Sequence, residues 1–422
     1  MNIKAKIKSI LPKTIIDFLK KYREYSPKNI YKDALTIHNI QQVSRKEKTG
    51  KLIKVGFIVQ MAEIWDKELP IFDAMLSDSA FEVDMIIVPP YNQVRKEVEH
   101  TYQLSNYFIT HYSNYVLAYQ NGEWISLESR NYDYIFLQRP YDLYLPEGFK
   151  SSDIVKFAKV CYIPYGFSGS DVFNPGLLDK RFFRNVYFIF LESEYMKGLL
   201  SEKFRFPIEK RFHKIMNKGY PALIPYFSFP PITQYHTFTW TPRWSFDEII
   251  GGSNFLRFKD TFLQIAKDHK ECRFIFRPHP LMFGEIEEKG LMTSDEIKQY
   301  ENSLSQYGIT YDKDAPLFDS LKNTDVLITD YSSIIIHFFI TGRPIVYCES
   351  CIELNRTFQT LREGMYIVKT ETDLSSVIDQ LIRGEDTQKQ LREGIVENLS
   401  IFHQDSTNKI VDEIKLDYLR NA

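Results

Sequence analysis

The chain has 422 residues, of which 44% are hydrophobic and 26% charged, and a formal net charge of −2. That length exceeds what one hydrophobic core serves, so two domains are expected, and the composition is that of a folded polypeptide rather than a disordered one. The small net charge gives no global attraction to nucleic acid, no apolar run approaches the length of a membrane span, and no signal-peptide core is visible.

The first 32 residues carry nine Lys or Arg against two acidic residues. Ile3, Ile7, Ile10 and Leu11 fall on one helical face; after Pro12, Ile15, Phe18, Leu19 and Tyr22 fall on another. Residues 1–50 are therefore expected to form a basic amphipathic helical segment, with residues 1–30 suited to an anionic membrane surface. A helix docked on the protein's own surface fits the same pattern.

Residues 51–232 read as a Rossmann-like first domain. Its expected strands are Leu52–Val59, Phe81–Val88, Tyr134–Leu137, Val160–Ile163 and Tyr187–Leu191, with a helix over Trp65–Ser77. Asn121-Gly122, flanked by Tyr115–Tyr119 and Glu123–Leu127, signals a hairpin. Pro221, Pro225, Pro230 and Pro231 crowd the stretch after Gly219, where the interdomain linker is expected. Residues 233–422 then form the second α/β domain, with strands at 237–241, 272–276, 326–329, 344–348 and 365–368.

Two turns in the second domain carry chemistry. The run Val326 to Thr329 ends in Asp330-Tyr331-Ser332-Ser333, followed by a largely apolar helix-length segment. Hydroxyls and free N–H groups where a helix begins favour an anion, although such a turn is often only a helix cap. The run Cys272 to Phe276 ends in Arg277-Pro278-His279-Pro280, whose prolines stop the strand and leave a cation and an imidazole at its carboxyl edge. In open α/β sheets, ligands bind at that edge. Asp312-Lys313-Asp314 has the spelling of a metal-binding D-x-D, but solvated turn carboxylates are the simpler reading. Cys348 and Cys351 form one C-x-x-C without a second pair, which fits reduced structural thiols. Aromatic runs such as Tyr141-Asp142-Leu143-Tyr144 serve core packing or stack on a base or sugar.

At these turns the sequence resembles the CDP-glycerol glycerophosphotransferase family of teichoic-acid primases, polymerases and capsule-pathway relatives. Its members carry the Arg-Pro-His-Pro turn and the Thr-Asp-Tyr-Ser-Ser elbow in the C-terminal half of a GT-B fold. Trp240-Thr241-Pro242-Arg243-Trp244 and His403-Gln404-Asp405-Ser406-Thr407 resemble two further family segments, so the likeness covers about residues 237 to 415. It implies two Rossmann-like domains facing a cleft. It also implies nucleotide and phosphate contacts from Arg243, Arg277, Asp330, Tyr331, Ser332 and Ser333, with His279 catalytic.

The N-terminal half departs from the pattern. Where the family has Trp-His-Gly, whose histidine serves as base, Tyr162-Ile163-Pro164-Tyr165-Gly166 stands here. Tyr165 and Gly166 are then expected to bind the acceptor. An ordinary tyrosine is a poor base, so Asp171, in the flexible stretch Gly166 to Asp171, is the reserve base. The resemblance implies transfer of an alditol phosphate from a CDP-linked donor to a hydroxyl of a glycan or lipid-linked acceptor. Neither a cofactor nor a metal is expected, and the location would be the inner face of a bacterial membrane. The alternatives are a nucleotide-sugar glycosyltransferase and a non-catalytic component of a capsule-synthesis complex.

Overall fold

A computed structural model describes residues 26–44, 52–99, 106–173, 181–247, 250–313 and 317–421. The expected membrane-binding segment falls almost wholly outside them. Its described remainder opens the helix Pro27–Ser44, which packs on the first sheet's unit: Ile30 and Ala34 are buried, and His38 stacks on Phe212 at 4.5 Å. No described helix is long and apolar enough to cross a membrane.

The chain divides into two compact units, residues 1–165, 176–219 and 407–422 in one, and 166–175 and 220–406 in the other. The expected single crossing at residues 232–233 thus gives way to an exchange of segments. The proline-crowded stretch is no open linker either. It forms the 3-10 helix Pro221–Ser228, with Ala222, Leu223 and Tyr226 buried in the second unit.

The first unit is built on seven parallel strands: β1 (Ile53–Val59), β2 (Phe81–Ile87), β3 (Tyr115–Leu117), β4 (Tyr134–Leu137), β5 (Lys159–Tyr162), β6 (Val186–Phe190) and β7 (Lys214–Met216). Their spatial order is β7-β6-β5-β4-β1-β2-β3. The central strands β1 and β4 are buried nearly throughout, which is why they read as continuous apolar runs rather than alternating ones. Phe57 of β1 stacks on Phe136 of β4 with centroids 4.6 Å apart. The expected hairpin is present as two short strands, Tyr119–Gln120 and Glu123–Trp124. Asn121 and Gly122 both take positive φ between them, as the tight turn demands. The helix expected over Trp65–Ser77 is confined to Leu69–Leu76.

The second unit has six parallel strands: β8 (Thr237–Thr241), β9 (Arg273–Phe276), β10 (Ile309–Tyr311), β11 (Val326–Thr329), β12 (Ile345–Cys348) and β13 (Tyr366–Val368). The order is β10-β9-β8-β11-β12-β13. Helix Phe255–Asp268 covers β8 with Phe255, Phe258, Phe262 and Ile265, spaced so that they share one face. Each such side chain contributes about 1.5–3 kcal/mol by burial. In both sheets the strand order reverses beside the first strand, between β1 and β4 and between β8 and β11. Crevices at such reversals, at the carboxyl ends of the strands, are where open α/β sheets bind ligands.

The opposite, amino-terminal edge of the first sheet is closed by helix Ser406–Asn421, which returns after the whole second unit. Asp417, 1% exposed, accepts from Tyr134 at 2.7 Å and Tyr187 at 2.6 Å and pairs with Lys159 and with Lys214 at 2.9 Å. Burial alone would raise its pKa, but the lysines and phenols hold the carboxyl far below the carboxylate range.

Candidate active site

Strands β9, β8 and β11 are adjacent and parallel, with Trp240 opposite Phe276 and Thr241 opposite Thr329. The three expected segments, 242–244, 277–280 and 330–333, therefore emerge at one edge, beside the strand-order reversal. The sequence leaves them up to about 90 residues apart; the register brings them together.

Within that edge the side chains divide into braces and exposed groups. Asp330 is fully buried, so it does not offer its carboxylate to a nucleotide as expected. It accepts from the Arg243 amide at 2.8 Å and from both the amide and side chain of Asn254. Burial pushes its carboxyl up to about 6 even though those amides pull it down. Arg243 is likewise committed to the protein. Its guanidinium donates to the carbonyls of Ile250, Gly251 and Tyr331, and its charge lies 5.3 Å from the Tyr331 ring centroid. Both residues order the loop between β8 and the next helix rather than present charge. Tyr331 is also buried.

Ser332, Ser333, Arg277 and His279 are half-buried or exposed. Ser333 is exposed and Ser332 half-buried, with the Ser332 oxygen accepting from the Ile334 amide at 3.3 Å. The helix after them, Ile334–Phe339, spans only six residues, so the hydroxyls matter more than any macrodipole. Arg277 gives Nη1 to Asp312 at 2.8 Å and to Ser320 at 2.9 Å, which fixes the guanidinium at the strand end. Asp312 is thereby an ion-pair partner; Asp314, the other carboxylate of the expected D-x-D, lies outside the described residues. A cavity of about 340 Å³ flanks this pair on the outer strands and includes none of the motif residues.

His279 is exposed beside Trp244, ring centroids 6.0 Å apart. Partial enclosure and the Arg243 charge lower its pKa. Because the Leu281 amide donates to Nδ1 at 3.2 Å, a neutral ring carries its proton on Nε2. His279 is thus a neutral Nε2–H donor near pH 7.

The stretch holding Gly166 and Asp171 is part of this second unit, not of the first domain as expected. The Gly169 amide donates to the Tyr331 phenol at 3.2 Å, and Asn355 fastens the carbonyl of Ser168 with its side chain and that of Gly169 with its amide. A Cβ on Gly169 would stand 2.5 Å from the Phe358 ring, so only glycine fits. One on Gly166 would come within 4.0 Å of Ser333 Oγ. This strap sets Gly166 against the serine elbow and leaves Asp171 exposed at the start of the turn Asp171–Phe173.

Tyr165 closes the first unit's segment. It is 38% exposed and its phenol shares a hydrogen bond with Tyr141 at 2.7 Å. Burial and that bond raise its pKa, which removes it as a base at neutral pH. The sequence reading missed Lys67 and Glu68, both fully buried. Lys67 donates to the carbonyls of Gln138 and, at 2.9 Å, Ile163, while Glu68 lies 3.7 Å from the ammonium, beyond hydrogen-bonding distance. Burial lowers Lys67 to about 8 and raises Glu68 to about 7. An Asp-Lys-Glu run ordinarily signals a solvated turn, so composition hid them.

Residues 236–415 match the model of the family described as CDP-Glycerol:Poly(glycerophosphate) glycerophosphotransferase. Among curated proteins none matches the chain. Similar solved structures include a UDP-GlcNAc 2-epimerase from Neisseria meningitidis bound to UDP-GlcNAc, with a TM-score of 0.59 and 12% identity over 86% of this chain and 100% of that one. A variant of the wall teichoic acid polymerase TagF aligns over 96% of this chain and 98% of its own, with a TM-score of 0.54 and 12% identity. The same variant soaked with CDPG gives 0.52 and 12% over 97% and 99%. At these identities the likeness shows the fold, which is GT-B.

Proposed function

We propose that this protein moves glycerol phosphate from CDP-glycerol to a hydroxyl of a cell-surface polymer, a reading supported by the match of residues 236–415 to the CDP-glycerol:poly(glycerophosphate) glycerophosphotransferase family model. The observation that carries the reading is the convergence of Arg277, His279, Ser332 and Ser333 at the carboxyl edge of β9, β8 and β11. The acceptor oxygen attacks the glycerol-bearing phosphorus, the bond to CMP breaks, and CMP leaves. Ser332, Ser333, Arg277 and the Nε2–H of His279 stabilise the phosphoryl oxygens as charge develops on them, which is commonly the largest catalytic contribution. Asp171 takes the acceptor proton, Tyr165 being too weak a base. Tyr165 and Gly166 border the acceptor. Residues 1–30, which are rich in lysine, attach the enzyme to an anionic membrane where lipid-linked acceptors reside. Sedimentation with anionic vesicles, reversed by salt, tests that attachment.

The test of the reaction is nucleotide release from CDP-glycerol, CDP-ribitol and UDP- and GDP-sugars by the full-length protein. Release of CMP supports alditol-phosphate transfer. Release of a nucleoside diphosphate alone would replace it with glycosyl transfer, the alternative favoured by tyrosine at position 165.

A further inference from the structure

The strand-order reversal of the first sheet, between β1 and β4, carries a group of half-exposed tyrosines. Tyr165, Tyr144 and the neighbouring Leu143 are 38%, 43% and 57% exposed, which is too much for core residues. Tyr141 lies between the other two rings, 6.0 Å from each. The group is built, not loose. Gln138 Oε1 accepts from the Gln60 amide at 2.7 Å across the two strand ends. Gln60 in turn holds the Tyr144 carbonyl at 3.1 Å and Arg139 at 2.8 Å, and the Arg139 guanidinium lies 4.5 Å from the Tyr144 ring centroid. Asp142 is anchored by the amide and hydroxyl of Ser151. Beneath, buried Lys67 ties the carbonyls of Gln138 and Ile163, fixing the starts of both tyrosine-bearing loops.

Its chemistry selects among ligands. Lys67 is sealed in and bonded to carbonyls, whereas Arg139 gives Nη2 to the neutral Gln60 side chain and lies over the Tyr144 ring. Glu63 adds negative charge beside Arg139. A neutral ring with an apolar face and an equatorial rim of hydroxyls would find aromatic faces and phenol oxygens.

We propose that Tyr141, Tyr144 and Tyr165 form a subsite for a pyranose ring of the acceptor, so that the enzyme recognises a sugar-containing acceptor end rather than a bare polyol-phosphate chain. The proposal rests on the transferase reading above for the word acceptor, but not for the binding itself.

Saturation-transfer NMR on the full-length protein, with cellobiose, an N-acetylglucosamine disaccharide and a synthetic glycerol-phosphate trimer as probes, tests it. Transfer to the ring C–H protons of at least one disaccharide is expected. Its affinity should weaken about tenfold or more in Tyr144→Ala and stay within about threefold in Tyr144→Phe, which keeps the ring. The half-exposed position of Tyr144 tolerates both changes, and melting temperatures verify it. No transfer to either disaccharide, unchanged affinity in Tyr144→Ala, or binding of the trimer alone would overturn the subsite. CMP release from CDP-glycerol is followed in the same preparations. CMP release without disaccharide binding sinks the subsite only, whereas disaccharide binding without turnover of CDP-glycerol sinks the donor assignment only.

Discussion

Asn254 donates its side-chain amide to Oδ1 of Asp330 at 2.8 Å and its backbone amide to Oδ2 at 3.2 Å. One carboxylate thereby organises the loop after β8, because the Arg243 amide joins at 2.8 Å. Asp330→Ala leaves the Arg243 and Asn254 backbone amides without this acceptor at roughly 1–3 kcal/mol each, while the Asn254 side chain keeps the Cys348 and Glu349 carbonyls. Thermal melts should show a large fall in Tm, and donor affinity should fall with it. A stable variant with normal Tm would remove Asp330 from its bracing role.

Ser332 and Ser333 differ from Asp330 in being accessible, so their loss should act on binding and not on folding. Hydrogen bonds to charged groups are worth about 1.5–3 kcal/mol. The double substitution Ser332→Ala with Ser333→Ala is expected to weaken CDP-glycerol binding at least tenfold by calorimetry, with Tm preserved. Equal affinity in the folded double variant would take the elbow out of the donor site.

For His279 the Nδ1 contact to Leu281 decides the pattern. A neutral Nε2–H donor is mimicked in part by an amide, so His279→Gln should keep more turnover than His279→Ala. Because the pKa is lowered, kcat/KM should be level around pH 7 and change only below the ordinary histidine range. Complete inactivity of both variants, with a limb centred above pH 7, would point to imidazolium as a proton donor instead.

His213 makes a stability prediction. It is buried, bonded through Nδ1 to the Val186 carbonyl at 2.6 Å, and burial lowers its pKa from 6.5 to about 4. Between those values the unfolded chain takes a proton that the folded chain refuses, so stability falls as pH drops from 6.5 to 4, by on the order of 3 kcal/mol. Asp330 acts oppositely: its carboxyl, raised from 3.8 to about 6, gives a contribution present below 3.8 and lost as pH rises through 6. The readout is therefore the difference in urea unfolding between wild type and His213→Gln. A difference that does not vary with pH would contradict the assignment.

Much of the second unit was legible because its signals are local. Prolines after Arg277 and His279 end β9, and the strand before Asp330 opens on the apolar run Val326-Leu327-Ile328. Which side chains face out was not legible, because Asp330 and Arg243 look like ligand groups until Asn254 and the Ile250 and Gly251 carbonyls are seen to occupy them. The strap of Gly166 to Pro175 was hidden for another reason. Its membership of the second unit depends on Asn355 and Phe358, nearly 190 residues away, and no shift in composition marks it. Lys67 escaped because burial of an ammonium is decided by two carbonyls that arrive from other strands.

The return of Asp417 to the first sheet has a consequence for biosynthesis. Lys159, Tyr134, Tyr187 and Lys214 leave the ribosome about 200 to 280 residues before the carboxylate that joins them. At about 5–20 residues per second, that is an interval of roughly 10–60 s. Throughout it two lysines at the sheet edge lack their counter-charge, while residues 220–406 emerge and supply the other unit in full. The part of the protein begun first is therefore finished last, and a nascent chain stalled before residue 417 would carry a complete second unit and an unsealed first one.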